Sequence, residues 1–429
     1  MKPDIIKALL NEAIGREVLM KGANIDDIRR YSRNRKLPLE TMVRFILTMG
    51  GGNLTNELIA AGIDATPPAF VQQRRRIKPV LFQKIFQDFN KTEELFADYK
   101  GRRILGVDGT TVSLPYHKDG ETFIPIDTHP RGGYNAYHVT PIYDLLGGTY
   151  IDAVCQVQAA QDEQGGLISM LYKPCMREHK SVVVGDRGFE GYSLVAHCQN
   201  AGVDFLIRVR PLMKAVRALE MKELDTDVSF TLTTSQSRAH RELGYILMQT
   251  TNNSGHKNRA RWDFAHINPF PMSFRVVRFK LPTGEFETLI TSLPRTFTTE
   301  DIERMYHLRW NIEQSFRNLK YRQGLIAIHS IRDDFAQQQI WAALTMHNFC
   351  QRIIREIEPE QNPANKYKRR INAGVAMQLC KEYFRDPYAD SDALVREIMK
   401  HTEAERPGRQ SERRMTTKTC TSFQYRVPS

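Results

Sequence analysis

Cysteine is sparse in this chain and carries no pattern: Cys155, Cys175, Cys198, Cys350, Cys380 and Cys420 fall without a C-x-x-C spacing. That excludes a zinc framework or a disulfide scaffold and points to reduced thiols in a cytosol. No apolar run approaches the ~20 residues a membrane-spanning helix needs, so no membrane partner is expected. The opening Met1, Lys2, Pro3, Asp4 lacks the basic-then-apolar-then-small order of a secretory signal. Acidic residues are outnumbered, 49 Asp and Glu against 61 Lys and Arg, leaving a net charge of +12. A basic excess of this kind favours a polyanionic partner, chiefly nucleic acid. The remainder is ordinary: 429 residues, 41% hydrophobic and 26% charged, suffice for two or three domains with a sizeable core.

Residues 1 to about 95 read as short helices forming a DNA-binding region. An apolar-periodic stretch from Leu37 to about Met49 is ended by Gly50-Gly51-Gly52. A helix–turn–helix-like pattern follows, Leu54 to Ala60, a turn at Ala61-Gly62-Ile63, then Pro67 and Pro68 opening Ala69 to Ile77. The second of these helices carries Gln72, Gln73, Arg74, Arg75 and Arg76, residue types that contact bases and phosphates; a solvated basic face is the alternative.

From about residue 100 the period becomes that of strands. Arg103 to Leu114 is β-branched with Asp108 in its middle, and Tyr134 to Tyr143 pairs with Thr149 to Val157 around Gly147-Gly148. Asp162 to Tyr172 reads as a helix. Ser181 to Gly185 is a wholly apolar strand of the kind buried on both faces, with Asp186 at its end. A helix from about Tyr192 to Gln199 and a strand from Asp204 to Arg210 complete a first core segment, 100–210. Residues 211–292, with short β-like runs at Val228–Thr233, Gly244–Thr250, Phe274–Leu281 and Phe286–Thr291, read as an all-β insertion. The core resumes over 293–345. A helical region, 346–429, follows with helices Phe335 to Glu356 and Asn372 to Phe384, then a basic, loosely ordered tail from about His401.

The helix after the insertion is the most informative stretch. Thr298 is its N-cap with Asp301 at N3, and Phe297 with Ile302 forms a hydrophobic staple. Taking Tyr306 as origin at about 100° per residue, Arg309 falls near ~300°, Glu313 near ~340° and Lys320 near ~320°, one narrow arc of a single helix. Met305, Leu308, Ile312, Phe316 and Leu319 form the adjoining core stripe. A carboxylate among cations and a phenol suits a site for metal and phosphate; the bland alternative is a surface Arg309–Glu313 ion pair.

Asp108, Asp186 and Glu313 thus stand at a strand centre, a strand end and a helix face. Each has a local explanation, since Asp186 could cap the next turn and Asp108 could mark a bulge. Together they are harder to dismiss, because carboxylates within apolar strands are costly unless paired or metal-bound. Hard oxygen ligands favour Mg²⁺ or Mn²⁺ over zinc, and two such ions could drive an in-line displacement at phosphorus.

On Tyr306, Arg309, Glu313 and Lys320, with the VDGT and GDRGF segments that hold Asp108 and Asp186, the chain resembles the DDE transposases of bacterial insertion sequences, in the insertion-sequence-four family. The resemblance implies an α/β, ribonuclease-H-like core split by a β insertion before the glutamate helix. It implies Asp108, Asp186 and Glu313 as a triad holding two Mg²⁺ or Mn²⁺ ions, and Tyr306, Arg309 and Lys320 as contacts to the phosphate of the transposon end. It also implies a homodimer on double-stranded DNA, with terminal inverted repeats and target DNA as partners, in the bacterial cytoplasm beside the nucleoid. Trp310 recurs in the family pattern, where packing is its expected role.

One departure stands out. Some relatives carry a base-stacking tryptophan on the strand before the signature helix, where this chain has Phe286, Glu287, Thr288 and Leu289. Trp262, beside Arg261 and near Arg259, is the candidate substitute, with a core position as its alternative. The competing functions are a metal-dependent nuclease of the same fold and a DNA-binding regulator that has lost catalysis.

Overall fold

The computed structural model describes residues 1–20, 36–91, 97–129, 131–211, 213–248, 262–328 and 330–405. Its centre is one eleven-stranded sheet. Strands β1 (Arg103–Val107) and β2 (Thr110–Leu114) follow one another along the same edge of β4 (Gly133–Asp144), antiparallel to it and in one uninterrupted register, from Leu105 opposite Asp144 to Leu114 opposite Asn135. The ladder lapses only at Asp108 and Gly109. Continued through that break, the register sets Asp108 against Pro141, which has no N–H to offer. The break in the expected Arg103–Leu114 strand therefore falls at its candidate carboxylate. The opposite edge of β4 carries β3 (Phe123–Pro125) and β5 (Tyr150–Val157).

On the other side of β1 the sheet turns parallel. Strands β6 (Ser181–Gly185) and β7 (Asp204–Arg208) follow β1 in order, with Gly106 opposite Val184 and Val184 opposite Leu206. All five residues of β1 and of β6 are buried. Their side chains alternate between two cores: Ile104, Val182 and Val184 face one, Leu105, Val107 and Val183 the other.

The second core is closed by two helices, Glu163–Leu171 and Tyr192–Ala201, which supply Leu167, Met170, Leu171, Leu194, Val195 and Cys198. The first core is closed by a 22-residue helix, Asp333–Ile354, and by the N-terminal helices Pro3–Leu19, Leu39–Thr48 and Pro79–Asn90. One hydrophobic cluster runs from Ile6 through Phe86, Trp341 and Phe349 to Ile398. The long helix, expected over Phe335 to Glu356, passes straight through residue 345. The helical end also contains a helix not read from the sequence, Ser391–Lys400, and a small ladder between Arg369–Ile371 and Thr402–Ala404. Within the expected loose tail, residues 406–429 lie outside the described residues.

The insertion does not form a separate all-β body. Strands β8 (Leu224–Thr233), β9 (Ile246–Leu247), β10 (Phe270–Lys280) and β11 (Phe286–Thr291) extend the core sheet, because β11 pairs antiparallel with β7. A short helix, Arg238–Glu242, interrupts it, and of the expected Gly244–Thr250 strand only Ile246–Leu247 forms among the described residues.

Arg275 of β10 joins the insertion to the loop after β11. Its side chain, 4% exposed, takes Asp225 bidentately at 2.7 and 2.6 Å and donates to the carbonyls of Leu293, Pro294 and Phe297. That fixes the loop from which the signature helix starts. A second junction lies beyond that helix: Gly324 has φ +84, and a Cβ there would stand 3.1 Å from the backbone of Gly50 and Gly51. The glycine run that ends an N-terminal helix is thus also a docking point.

Candidate active site

The signature segment starts as expected. Thr298 and Asp301 form a reciprocal capping box on the helix Thr299–His307, and Phe297 and Ile302 are both buried. It is not one helix, however. The regular pattern lapses at Leu308 and Arg309, whose backbones stay right-handed, resumes over Trp310–Arg317, and passes into a π turn over Asn318–Arg322. The single-helix expectation therefore fails for Lys320: i→i+5 winding shifts its direction away from a 100° projection. The apolar stripe stands, with Met305, Ile312, Phe316 and Leu319 buried and Leu308 packed against the core.

Two hydrogen bonds seat the Trp310–Arg317 helix on the sheet. Asn311 Nδ2 donates to the carbonyl of Leu145 at 3.1 Å, and Ser315 Oγ lies 2.6 Å from the phenol oxygen of Tyr150 on β5. Tyr150 is itself fixed by Asn348 of the long helix, which bonds both its backbone N–H and its carbonyl at 2.7 Å. Glu313 is carried on the same helix, and its relation to the end of β1 runs through Arg309, which faces both Glu313 and Asp108.

Asp108 and Asp186 meet there for a topological reason. They directly follow Val107 and Gly185, the last residues of two neighbouring parallel strands, and the β1–β6 register continued to these positions makes them partners. Such paired strand ends are where open α/β sheets place ligands. Asp108 Oδ1 accepts from the Gly109 N–H at 2.8 Å, and Asp186 caps a short turn by accepting from Gly188 at 2.8 Å. The local capping role read for Asp186 is real, and it coexists with the pairing.

Arg309 closes the arrangement. Its Nη1 lies 3.4 Å from Glu313 Oε1 and 4.0 Å from Asp108 Oδ2, and its side chain is 8% exposed. The bland surface pair is thereby corrected: the cation is buried and serves two carboxylates. Burial disfavours the guanidinium charge, but Tyr306, Glu313 and Asp108 outweigh it and hold its pKa above the ordinary value. The Asp108 carboxyl moves the other way, pushed up to about 6 by burial, with Asp186 and Glu163 adding to the rise and the Gly109 N–H and Arg309 opposing it. Burial likewise raises the Tyr306 phenol.

Sequence reasoning missed Glu163 and His138. Glu163 is the first residue of the Glu163–Leu171 helix, after the N-cap Asp162, and its Oε1 lies 2.9 Å from Nε2 of His138 on β4. The only signal was a carboxylate opening a helix next after a strand, which ordinary capping also explains.

The other expected contacts divide. Arg74 is corrected: it is 4% exposed, its Nε donates to Gln338 at 2.7 Å and its Nη2 to the carbonyl of Phe335 at 2.9 Å. It ties the helix Pro67–Arg74 to the long helix, so it is no phosphate contact. Arg75 is exposed and Arg76 partly so, just beyond the helix end. Trp262 is 3% exposed against Phe264 and Phe270, a core residue and not a base-stacking platform; Arg259 and Arg261 lie outside the described residues. Trp310 departs from its expected packing role, being 51% exposed with the Arg309 guanidinium 4.9 Å from its ring.

Among the described residues no three His, Cys, Asp or Glu side chains are already grouped as a metal-ion set. The donor chemistry nevertheless fits a hard divalent cation. Burial lifts the Asp108 carboxyl, Asp186 and Glu163 add like charge to it, and the cation that opposes this is a protein side chain, Arg309.

A family model described as transposase DDE domain matches residues 99–349, more than half of the chain. No curated protein matches. Among solved structures the chain is similar to that in the cryo-EM structure of a piggyBac transposase synaptic complex with hairpin DNA, at 12% identity and a TM-score of 0.43, covering 95% of this chain and 87% of that one.

Proposed function

The chain belongs to the transposase DDE domain family, and on that basis we propose that it cuts the ends of an insertion sequence from DNA and joins them to a target. The observation that carries this reading is the pairing of Asp108 and Asp186 at adjacent parallel strand ends, with Glu313 brought to the same place through Arg309. Asp108, Asp186 and Glu313 would hold Mg²⁺ or Mn²⁺. When bound, two such ions supply a nucleophile at neutral pH and stabilise an in-line displacement at phosphorus.

The chain's own residues do the rest. Arg309 releases its carboxylates and turns its planar fork to a phosphate of the transposon end, which it can grip bidentately. Tyr306 lies against Arg309, its ring centroid 5.8 Å from the guanidinium carbon, and limits where that fork can turn. Lys320 contributes a point charge to the same DNA strand. The net charge of +12 supports double-stranded DNA as the partner, and two copies of the chain would pair the two terminal repeats.

The test is cleavage of DNA bearing the element's terminal repeats across a Mn²⁺ titration. Asp108→Asn, Asp186→Asn and Glu313→Gln should each abolish cleavage while retaining DNA binding. Lys320→Ala should lower cleavage and joining without loss of metal binding. Wild-type cleavage by any of the three carboxylate variants would remove that residue from the proposed triad.

A further inference from the structure

Glu163 occupies ground that the three-carboxylate reading leaves unassigned. A Cβ added to Gly109, the residue after Asp108, would stand 2.0 Å from Glu163 Oε1 and 2.5 Å from His138 Nε2. A Cβ on Gly188 would stand 3.0 Å from Asp186 Oδ1 and 3.7 Å from Glu163 Oε2. One Glu163 carboxylate oxygen therefore lies against Gly109, next to Asp108 in the chain, and the other lies near Gly188, on the side where Asp186 Oδ1 stands.

A group of acids alone would say little. The independent observation is His138, whose side chain is 5% exposed and faces this spot from β4. Its Nε2 is 2.9 Å from Glu163 Oε1, yet neither ring nitrogen completes an aligned hydrogen bond. A buried imidazole in that state is costly, and it gains if the carboxylate beside it is drawn into a fixed place. Glu313, by contrast, is engaged with Arg309.

We propose that Glu163 is a fourth carboxylate ligand of the site, closing with Asp108 and Asp186 around a first divalent cation, and that His138 is its positioning residue. A bound cation would offset the like charges of these carboxylates and draw them together. Glu313 joins later, once DNA phosphate has taken Arg309 from it. Gly109 is glycine because a Cβ there would occupy the space that the Glu163 carboxylate and the His138 ring already fill.

This inference rests on the divalent-metal reading proposed above, and one experiment separates the two. Mn²⁺ binding to the full-length, DNA-free protein is measured by electron paramagnetic resonance and calorimetry, with circular dichroism and melting to verify folding. Glu163→Gln should weaken Mn²⁺ binding about ten-fold or more, the scale on which such partners act. Glu313→Gln should weaken it much less, and Asp108→Asn should abolish it. His138→Ala should give a smaller loss that His138→Gln partly restores, and Gly109→Ala, which keeps every carboxylate, should weaken binding as Glu163→Gln does. If Glu163→Gln binds Mn²⁺ like the wild type while Asp108→Asn does not, the fourth ligand is refuted and the metal reading stands. If the folded wild type binds no Mn²⁺, both are refuted.

Discussion

Arg309 Nη1 stands 4.0 Å from Asp108 Oδ2, so in the DNA-free chain a guanidinium from the signature helix holds charge balance at the end of a core strand. Removing it should leave Asp108, Asp186 and Glu313 facing one another uncompensated. Arg309→Ala is expected to lower stability by about 1–3 kcal/mol, and Mg²⁺ should restore more of it than it adds to the wild type. Melting curves with and without Mg²⁺ check this. An equal metal effect on both proteins would mean that guanidinium and metal do not serve the same charges.

Asp108 gives a pH dependence with a definite sign. Its carboxyl is raised to about 6 in the folded chain, above the ordinary value of 3.8, so the folded state holds the proton more tightly than the unfolded state. The stabilising contribution is full below about pH 4 and is lost as pH rises through about 6. In metal-free buffer Asp108→Asn should therefore be more stable than the wild type at pH 7.5, by roughly 3 kcal/mol, with the difference shrinking toward pH 4. Urea denaturation at several pH values measures it. A difference that does not change with pH would refute the raised carboxyl.

The Arg275–Asp225 pair should behave in the opposite sense. Hydrogen bonding from Arg275 leads the effects that hold the Asp225 carboxyl below its usual value, so its contribution is present above the unfolded pKa and is lost as pH falls through the folded one. Arg275→Ala also releases the carbonyls of Leu293, Pro294 and Phe297. A cost of about 3–5 kcal/mol is expected at neutral pH, together with faster hydrogen exchange over residues 293–307. Unchanged exchange there would show that the loop is held by other contacts.

The three consecutive arginines should separate by experiment. Arg74→Ala is expected to lower the melting temperature and leave the salt dependence of DNA binding unaltered, because its partners are Gln338 and Phe335. Arg75→Ala and Arg76→Ala should leave melting alone and reduce the salt slope, by about one unit for each phosphate no longer neutralised. A flat response from the last two would return them to a solvated basic face.

That same triplet marks how far sequence pattern reaches. The strands at 181–185 and 286–291 were legible to the residue, because an apolar β-branched run between turns has few other uses. Asp108 and Asp186 stood out for the same reason, as carboxylates against an apolar background. Arg74 could not be distinguished from Arg75, since its burial is decided by Gln338, far away along the chain. Glu163 was hidden likewise: its relation to Asp108 depends on how β4 lies beside β1 and where the following helix starts, and neither leaves a periodic trace. The break after Tyr306 and the π turn at Lys320 are departures from regular winding that a fixed angle per residue cannot register.

The long helix Asp333–Ile354 has a consequence for how the chain can be dissected. Its buried face is shared, with Gln338 and Trp341 meeting the N-terminal helices while Asn348 clasps the strand that seats Glu313's helix. A truncation at residue 95 would strip an apolar layer from that spine. It would silence the proposed cutting through collapse of the scaffold, whatever those helices contribute to the proposed reading of DNA. Deletion mapping would thus assign the N-terminal helices to catalysis, and only point substitutions at their exposed residues can tell recognition from support.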